Sequence, residues 1–235
     1  MKLAYNKKSK PIQTGKPKIL GFMHIATMNH WEDIVEELMY FIIKDGLLDK
    51  TRFLTQILIG PEHKKLINKS FKKNAKKIKR FSSGFDLKKY EYPTLNSLWQ
   101  TCMATDDEIY VYYCHTKGAS YQQNLKSDVW RRVMAEAILE KGWRDCVKQL
   151  DAGANTCGIM RNNRHYAGNF WWAKASYIRT LKKPLRSSNR FIHETWLDID
   201  NSSSCPEGNY PKSSRAIMNH WYNIHNLKML KLADL

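Results

Sequence analysis

A strand, a helix and a second strand in close succession constrain this chain more than any other feature of its 235 residues. Residues 18–24, KILGFMH, are a short apolar run that gives way to Ala26, Thr27 and Asn29, as a buried strand does above its carboxyl edge. Residues 31–44, WEDIVEELMYFIIK, place Ile34, Leu38, Phe41 and Ile42 at helical spacing with acids in the first turn, and Gly46 closes the helix. Residues 51–60, TRFLTQILIG, read as a second apolar strand ended by Gly-Pro. That order predicts a right-handed crossover and a parallel sheet.

Further along, the pattern continues. Residues 64–71 read as a short helix and residues 77–82 as a third, weaker strand. Residues 92–103 form a helix opened by Pro93 and Thr94, and residues 108–114, EIYVYYC, an aromatic and β-branched strand. Residues 128–150 carry a wide apolar stripe that Gly142 divides. A short strand over 157–161, a helix over 174–181 and a last helix over 215–232 complete the chain. The expected fold class is α/β: a mostly parallel central sheet flanked by helices, in one domain over residues 18–235, with residues 1–17 as a solvated basic arm.

Composition narrows the setting. A formal net charge of +17 attracts polyanions and steers anionic ligands, so nucleic acid, an acidic membrane surface and a nucleotide diphosphate are the candidate partners. Much of the excess lies in residues 64–80, where lysine dominates and Phe71 is the one aromatic. Base readers favour arginine forks and single-strand binders interleave aromatics, so this run reads as a solvated face and nucleic acid as the weaker candidate. No apolar run approaches the roughly 18 residues of a transmembrane helix, and no secretory signal opens the chain. Five cysteines, Cys102, Cys114, Cys146, Cys157 and Cys205, contain no CxxC pair and read as reduced thiols, which points to the cytoplasm.

Residues 165–173, HYAGNFWWA, are the stretch that local structure explains least. Successive strand side chains point to opposite faces, so one of Trp171 and Trp172 is expected to lie against something outside the ordinary core. Gly168 permits a close approach, and Asn169 supplies donors and an acceptor, a set that suits a hydroxyl-rich ligand; the alternative is an edge strand whose second tryptophan covers a helix. Three other polar clusters stand at or beyond predicted core elements: His24 to Thr27; His115, Thr116, Lys117 and Gly118; and His193 with Glu194. The lysine and glycine beside His115 make a cationic site that suits a diphosphate. Glu194 is either a general base or the partner of an arginine such as Arg190. Asp198 and Asp200 form a D-x-D pair, which a solvated turn would also produce.

On these residues the chain resembles small GT-A-type glycosyltransferases, including virus-encoded ones of the chlorella-virus kind. The resemblance is carried by YPTLNSLW from Tyr92, VYYCHTKG ending at Gly118, the helix with Trp143 and Cys146, and HYAGNFWWA followed by Tyr177 and Ile178. It implies a GT-A-like domain with a Rossmann-like half that holds a nucleotide-sugar donor, usually a UDP-sugar, at the carboxyl edge of the sheet. His24, Ala26, Thr27 and Met28 would then meet the base and ribose, with His115, Thr116, Lys117 and Gly118 near the diphosphate. Gly168, Asn169, Trp171, Trp172 and His193 would line the sugar and acceptor site. By analogy with inverting members, Glu194 would deprotonate a hydroxyl of a glycan or glycoprotein acceptor. The central strand ends in His-Thr-Lys where the wider class has D-x-D. Either His115 joins a site for a divalent cation, Mn2+ or Mg2+, or Lys117 offsets the leaving diphosphate without metal. The alternative reading is a basic nucleic-acid-binding protein or nuclease; a metal-dependent nuclease would usually need clustered carboxylates or a ββα-metal histidine motif, and the sequence carries neither.

Overall fold

The computed structural model describes residues 18–61, 75–122, 124–159, 161–162 and 165–197. The arm over 1–17, the helix expected over 64–71, the aspartates Asp198 and Asp200, Cys205 and the last helix lie outside the described residues. Within them, β1 (Lys18–Ala26), α1 (Trp31–Lys44), α2 (Leu47–Lys50) and β2 (Thr51–Ile59) realise the crossover read from the sequence. After β3 (Ile78–Ser82) come α3 (Tyr92–Met103) and β4 (Ile109–His115). α4 (Leu125–Ala135), a π-helical turn over Glu136–Glu140 and α5 (Trp143–Asp151) follow, then β5 (Thr156–Gly158), β6 (Arg161–Asn162) and β7 (His165–Tyr166). The described part ends with β8 (Trp171–Lys174), α6 (Ala175–Thr180) and the single turn α7 (Phe191–Glu194).

Among the described residues six strands form one sheet in the order β3-β2-β1-β4-β8-β5, with β6 and β7 paired as a separate ribbon. β3, β2, β1 and β4 run parallel, whereas β8 is antiparallel to both β4 and β5. The sheet is therefore mixed: β8 reaches the sheet from a tight turn on the carboxyl side of β4 and runs back beside it.

Both faces of the sheet are covered, which is why its central strands are apolar throughout. On one face Met23, Ile25, Tyr112, Cys114 and Trp172 pack against α1, α2, α4 and α5. On the other, Leu20, Phe22, Val111, Tyr113 and Trp171 pack against α3 and α6. α1 buries Trp31, Ile34, Val35, Leu38, Met39, Phe41 and Ile42, each stabilising by about 1.5–3 kcal/mol, while Glu32 and Asp33 complement its amino-terminal dipole. Gly46, at φ 77, takes the left-handed conformation that turns the chain into α2.

The expectation for the paired tryptophans is corrected here. They do face opposite sides of a strand, but β8 lies inside a sheet covered on both sides, so Trp171 is 1% and Trp172 is 0% exposed. Each indole belongs to one of the two core layers. Trp172 donates to the Ile138 carbonyl at 2.9 Å and Trp171 to Asn169 Oδ1 at 2.8 Å, so both N–H groups are satisfied internally. The helix expected over 128–150 starts earlier, because Asn124 caps it by accepting from the Ser127 amide at 3.0 Å. Cys102, Cys114, Cys146 and Cys157 are buried and outside any disulfide, as read from the sequence.

Candidate functional site

Alternation along parallel strands brings the two histidines together. His24 and His115 are partners in the β1–β4 register, the last pair of that ladder. Residues two apart share a face, so both rings stand on the α3 side with Phe22 and Tyr113. The turns beyond them are tied to each other: the Thr116 amide donates to the His24 carbonyl at 3.0 Å, and the Ala26 amide donates to Thr116 Oγ1 at 2.9 Å. The first strand's end and the HTKG turn are thus one structure at the carboxyl rim.

At its centre lies a residue that sequence reasoning missed. Glu91, the residue before α3, accepts from the Tyr113 hydroxyl at 2.6 Å and from Asn169 Nδ2 at 2.5 Å through one carboxylate oxygen. Its other oxygen is 4.0 Å from His115 Nδ1. Burial alone would raise Glu91, but His115, His24 and the hydrogen bonds from Tyr113 and Asn169 outweigh it and hold the carboxyl below its ordinary value. An ionised group is therefore fixed under the rim. Its position in an unpatterned segment just ahead of Pro93 left no periodic signal. The one available hint was an acidic residue at a helix start.

Around Glu91 the histidines are held in different ways. His24, 3% exposed, pairs Nδ1 with Thr94 Oγ1 at 3.0 Å; burial lowers it to about 4, against the pull of Glu91 and with help from His115 and His193. It is neutral at physiological pH. His115 Nε2 donates to the Gly168 carbonyl at 2.8 Å, which turns Nδ1 toward Glu91. His193 is buried and donates Nε2 to the Leu185 carbonyl at 3.1 Å, while its Nδ1 has no hydrogen-bond partner among the described residues.

Both glycines are crowded by the protein itself. Gly168 and Asn169 both adopt positive φ, 71° and 57°, and a β-carbon on Gly168 would lie 2.2 Å from Met134 Sδ. This sharp turn under α4 presents the Gly168 carbonyl to His115 and the Asn169 amide to Glu91. A β-carbon on Gly118, at φ 95, would meet Arg131 Nη1 at 3.0 Å. Arg131 fastens the HTKG turn by donating to the Lys117 carbonyl at 2.8 Å while pairing with Asp128 and Glu37. Thr27 donates to the Ile59 carbonyl at 3.2 Å, and Met28 packs against the core.

Lys117 is the partly buried member of the turn with chemistry to offer. Burial pulls its ammonium below the usual value, opposed by Glu194 and Glu91 and reinforced by Arg190. No hydrogen bond or ion pair to its ammonium is formed among the described residues. Glu194 reaches the same rim on α7, where its carboxylate is felt by Lys117 and Tyr113, and pairs at 3.9 Å with Arg190. His24, His115, Lys117 and Glu194 therefore lie within electrostatic reach of Glu91 or of one another, with Asn169 bonded to Glu91, His193 beside His24, and Trp171 and Trp172 in the core.

His115 has committed Nε2, Glu91 has filled one oxygen with two donors, and no group of three His, Cys, Asp or Glu among the described residues is placed to hold a metal ion. Asp106 and Asp107 stand at the opposite end of β4, where Asp107 pairs with Lys18 at 3.0 Å.

A family model described as a domain of unknown function (DUF8361) matches residues 22–227. The chain belongs to the DUF8361 family. The matched span takes in every member of the rim from His24 to Glu194, so in this DUF8361 chain the cluster is part of the family domain itself. No curated protein matches the chain. No helix among the described residues is long and apolar enough to cross a membrane.

Proposed function

We propose that this protein is a GT-A-like glycosyltransferase that moves a sugar from a nucleotide-diphosphate donor, a UDP-sugar, to a hydroxyl of a glycan or glycoprotein, with inversion. The observation that carries the reading is Lys117: a partly desolvated ammonium without a carboxylate partner among the described residues, at the carboxyl rim of parallel strands, where open α/β sheets bind ligands. A phosphate oxygen would supply what the protein leaves missing.

In this reading the acceptor oxygen attacks the anomeric carbon as the bond from that carbon to the diphosphate breaks. The nucleoside diphosphate leaves with the bonding pair, and Glu194 takes the acceptor's proton. Lys117 offsets the charge that builds on the leaving group. Glu91 acts from below: ionised, it orients His115 and Asn169, and neutral His24 closes the floor without adding a charge that would repel Lys117. Trp171 fixes Asn169 from the core through the bond to its Oδ1, so the buried indoles support the floor of the rim and are not where a sugar would rest. A divalent cation, if one takes part, would require groups beyond the described residues, and no step above is routed through it.

The test is a thermal-shift panel of UDP, GDP and CMP nucleotides with and without manganese, followed by a transfer assay. UDP should raise the midpoint, and Glu194→Gln should abolish transfer while donor binding survives. Normal transfer by Glu194→Gln would remove the base assignment. Failure of every nucleotide, together with duplex DNA binding that falls steeply with salt, would favour a nucleic-acid-binding protein or nuclease.

A further inference from the structure

The segment that delivers Glu194 to the rim has a surface of its own. Residues 182–192, KKPLRSSNRFI, contain two lysines, two arginines and no acidic residue. Three large apolar side chains project from it: Leu185 is 67%, Phe191 57% and Ile192 37% exposed. The segment is folded back on α7, because His193 donates to the Leu185 carbonyl at 3.1 Å and Trp196 to the Lys182 carbonyl at 2.9 Å. Its apolar groups are therefore held outward by a fixed backbone.

This surface borders the rim. Arg186 pairs with Asp86 at 3.7 Å, and the half-exposed Tyr90 ring lies 6.4 Å from His193. Lys182, Lys183, Arg186 and Arg190 are exposed around the apolar groups, and the Arg190 guanidinium sits 5.0 Å from the Phe191 ring centroid. Aliphatic tips ringed by cations match the boundary of an anionic bilayer, where apolar groups enter the acyl edge and ammonium and guanidinium groups meet phosphates. A single-stranded nucleic acid would be served instead by rings on which bases stack, and Leu185 and Ile192 have none.

We infer that residues 182–192 dock the protein on an anionic membrane surface. Leu185, Phe191 and Ile192 enter the interface, and the four surrounding cations bind lipid headgroups. The net charge of +17 supplies the long-range attraction, and the patch fixes the orientation. The inference stands apart from the sugar-transfer reading.

Vesicle flotation with the full chain tests it, using phosphatidylcholine vesicles with and without phosphatidylserine. The protein should float with the anionic vesicles alone. Lys183→Gln and Arg186→Gln should each weaken binding about fivefold, and Leu185→Ser with Phe191→Ser about tenfold, at an unchanged melting temperature. Absence of binding to anionic vesicles overturns the proposal. Equal binding by wild type and all patch variants overturns it too, because diffuse charge would then be responsible. Loss of oligonucleotide binding in the same variants, with vesicles ignored by the wild type, would make the patch a nucleic-acid surface and likewise end the proposal.

Discussion

Acidification should weaken this fold through His24 before it protonates the carboxylates. The ring is 3% exposed and is lowered from 6.5 to about 4 by burial, with His115 and His193 adding to the effect and Glu91 opposing it. Between those values the unfolded chain binds a proton that the native state refuses, so stability falls as pH falls through the interval and is fully present above about 6.5. The whole interval, at 1.36 kcal/mol per pH, makes about 3 kcal/mol. Between about pH 7.5 and about pH 5 the loss attributable to His24 is about 2 kcal/mol. Urea unfolding at these two pH values measures it. His24→Gln keeps a group that can bond Thr94 Oγ1 but cannot titrate, so the variant should lose about 2 kcal/mol less than wild type over the same span. Equal losses in the two proteins would refute the claim that His24 is held neutral at the rim.

Three further outcomes follow from the same geometry. Glu91→Gln should cost about 2–3 kcal/mol, because the Tyr113 hydroxyl and the Asn169 amide both donate to an ionised oxygen; denaturant titration measures it. Glu91 is held below its ordinary 4.5, so its contribution is present above that value and is lost as pH falls through the native one; the variant's stability should be flatter there. Gly168→Ala should cost about 3 kcal/mol, from the 2.2 Å approach to Met134 Sδ and the positive φ, and Met134→Ala in the same chain should recover part of it. Arg131→Met should cost about 3–5 kcal/mol and make the HTKG turn more open to proteolysis, since Glu37, Asp128 and the Lys117 carbonyl all lose a buried donor.

Much of the fold was legible because it is written in local periodicity. The apolar run before Ala26, the helical spacing of Ile34, Leu38 and Ile42, and Pro93 at the head of α3 each determine an element without reference to the rest of the chain. β8 was not legible in that way. Four residues give no indication of direction, and only pairing with Tyr113 on one side and Gly158 on the other makes Trp171 a core residue. The rim was half legible: polar residues after apolar strands located His24 and His115, and the topology paired them. Glu91 escaped because its partners Tyr113 and Asn169 lie 22 and 78 residues away in sequence. Close approach was legible at the two glycines, and Met134 and Arg131 are the protein groups that crowd them.

Calorimetric titration of UDP into the wild-type protein and Lys117→Ala measures whether the rim is a diphosphate cradle. A saturable site is expected, weakened about 10- to 100-fold by the substitution, as the loss of a hydrogen bond to a charged group requires. Equal affinity in the two proteins, or no uptake of UDP by the wild type, would contradict the account.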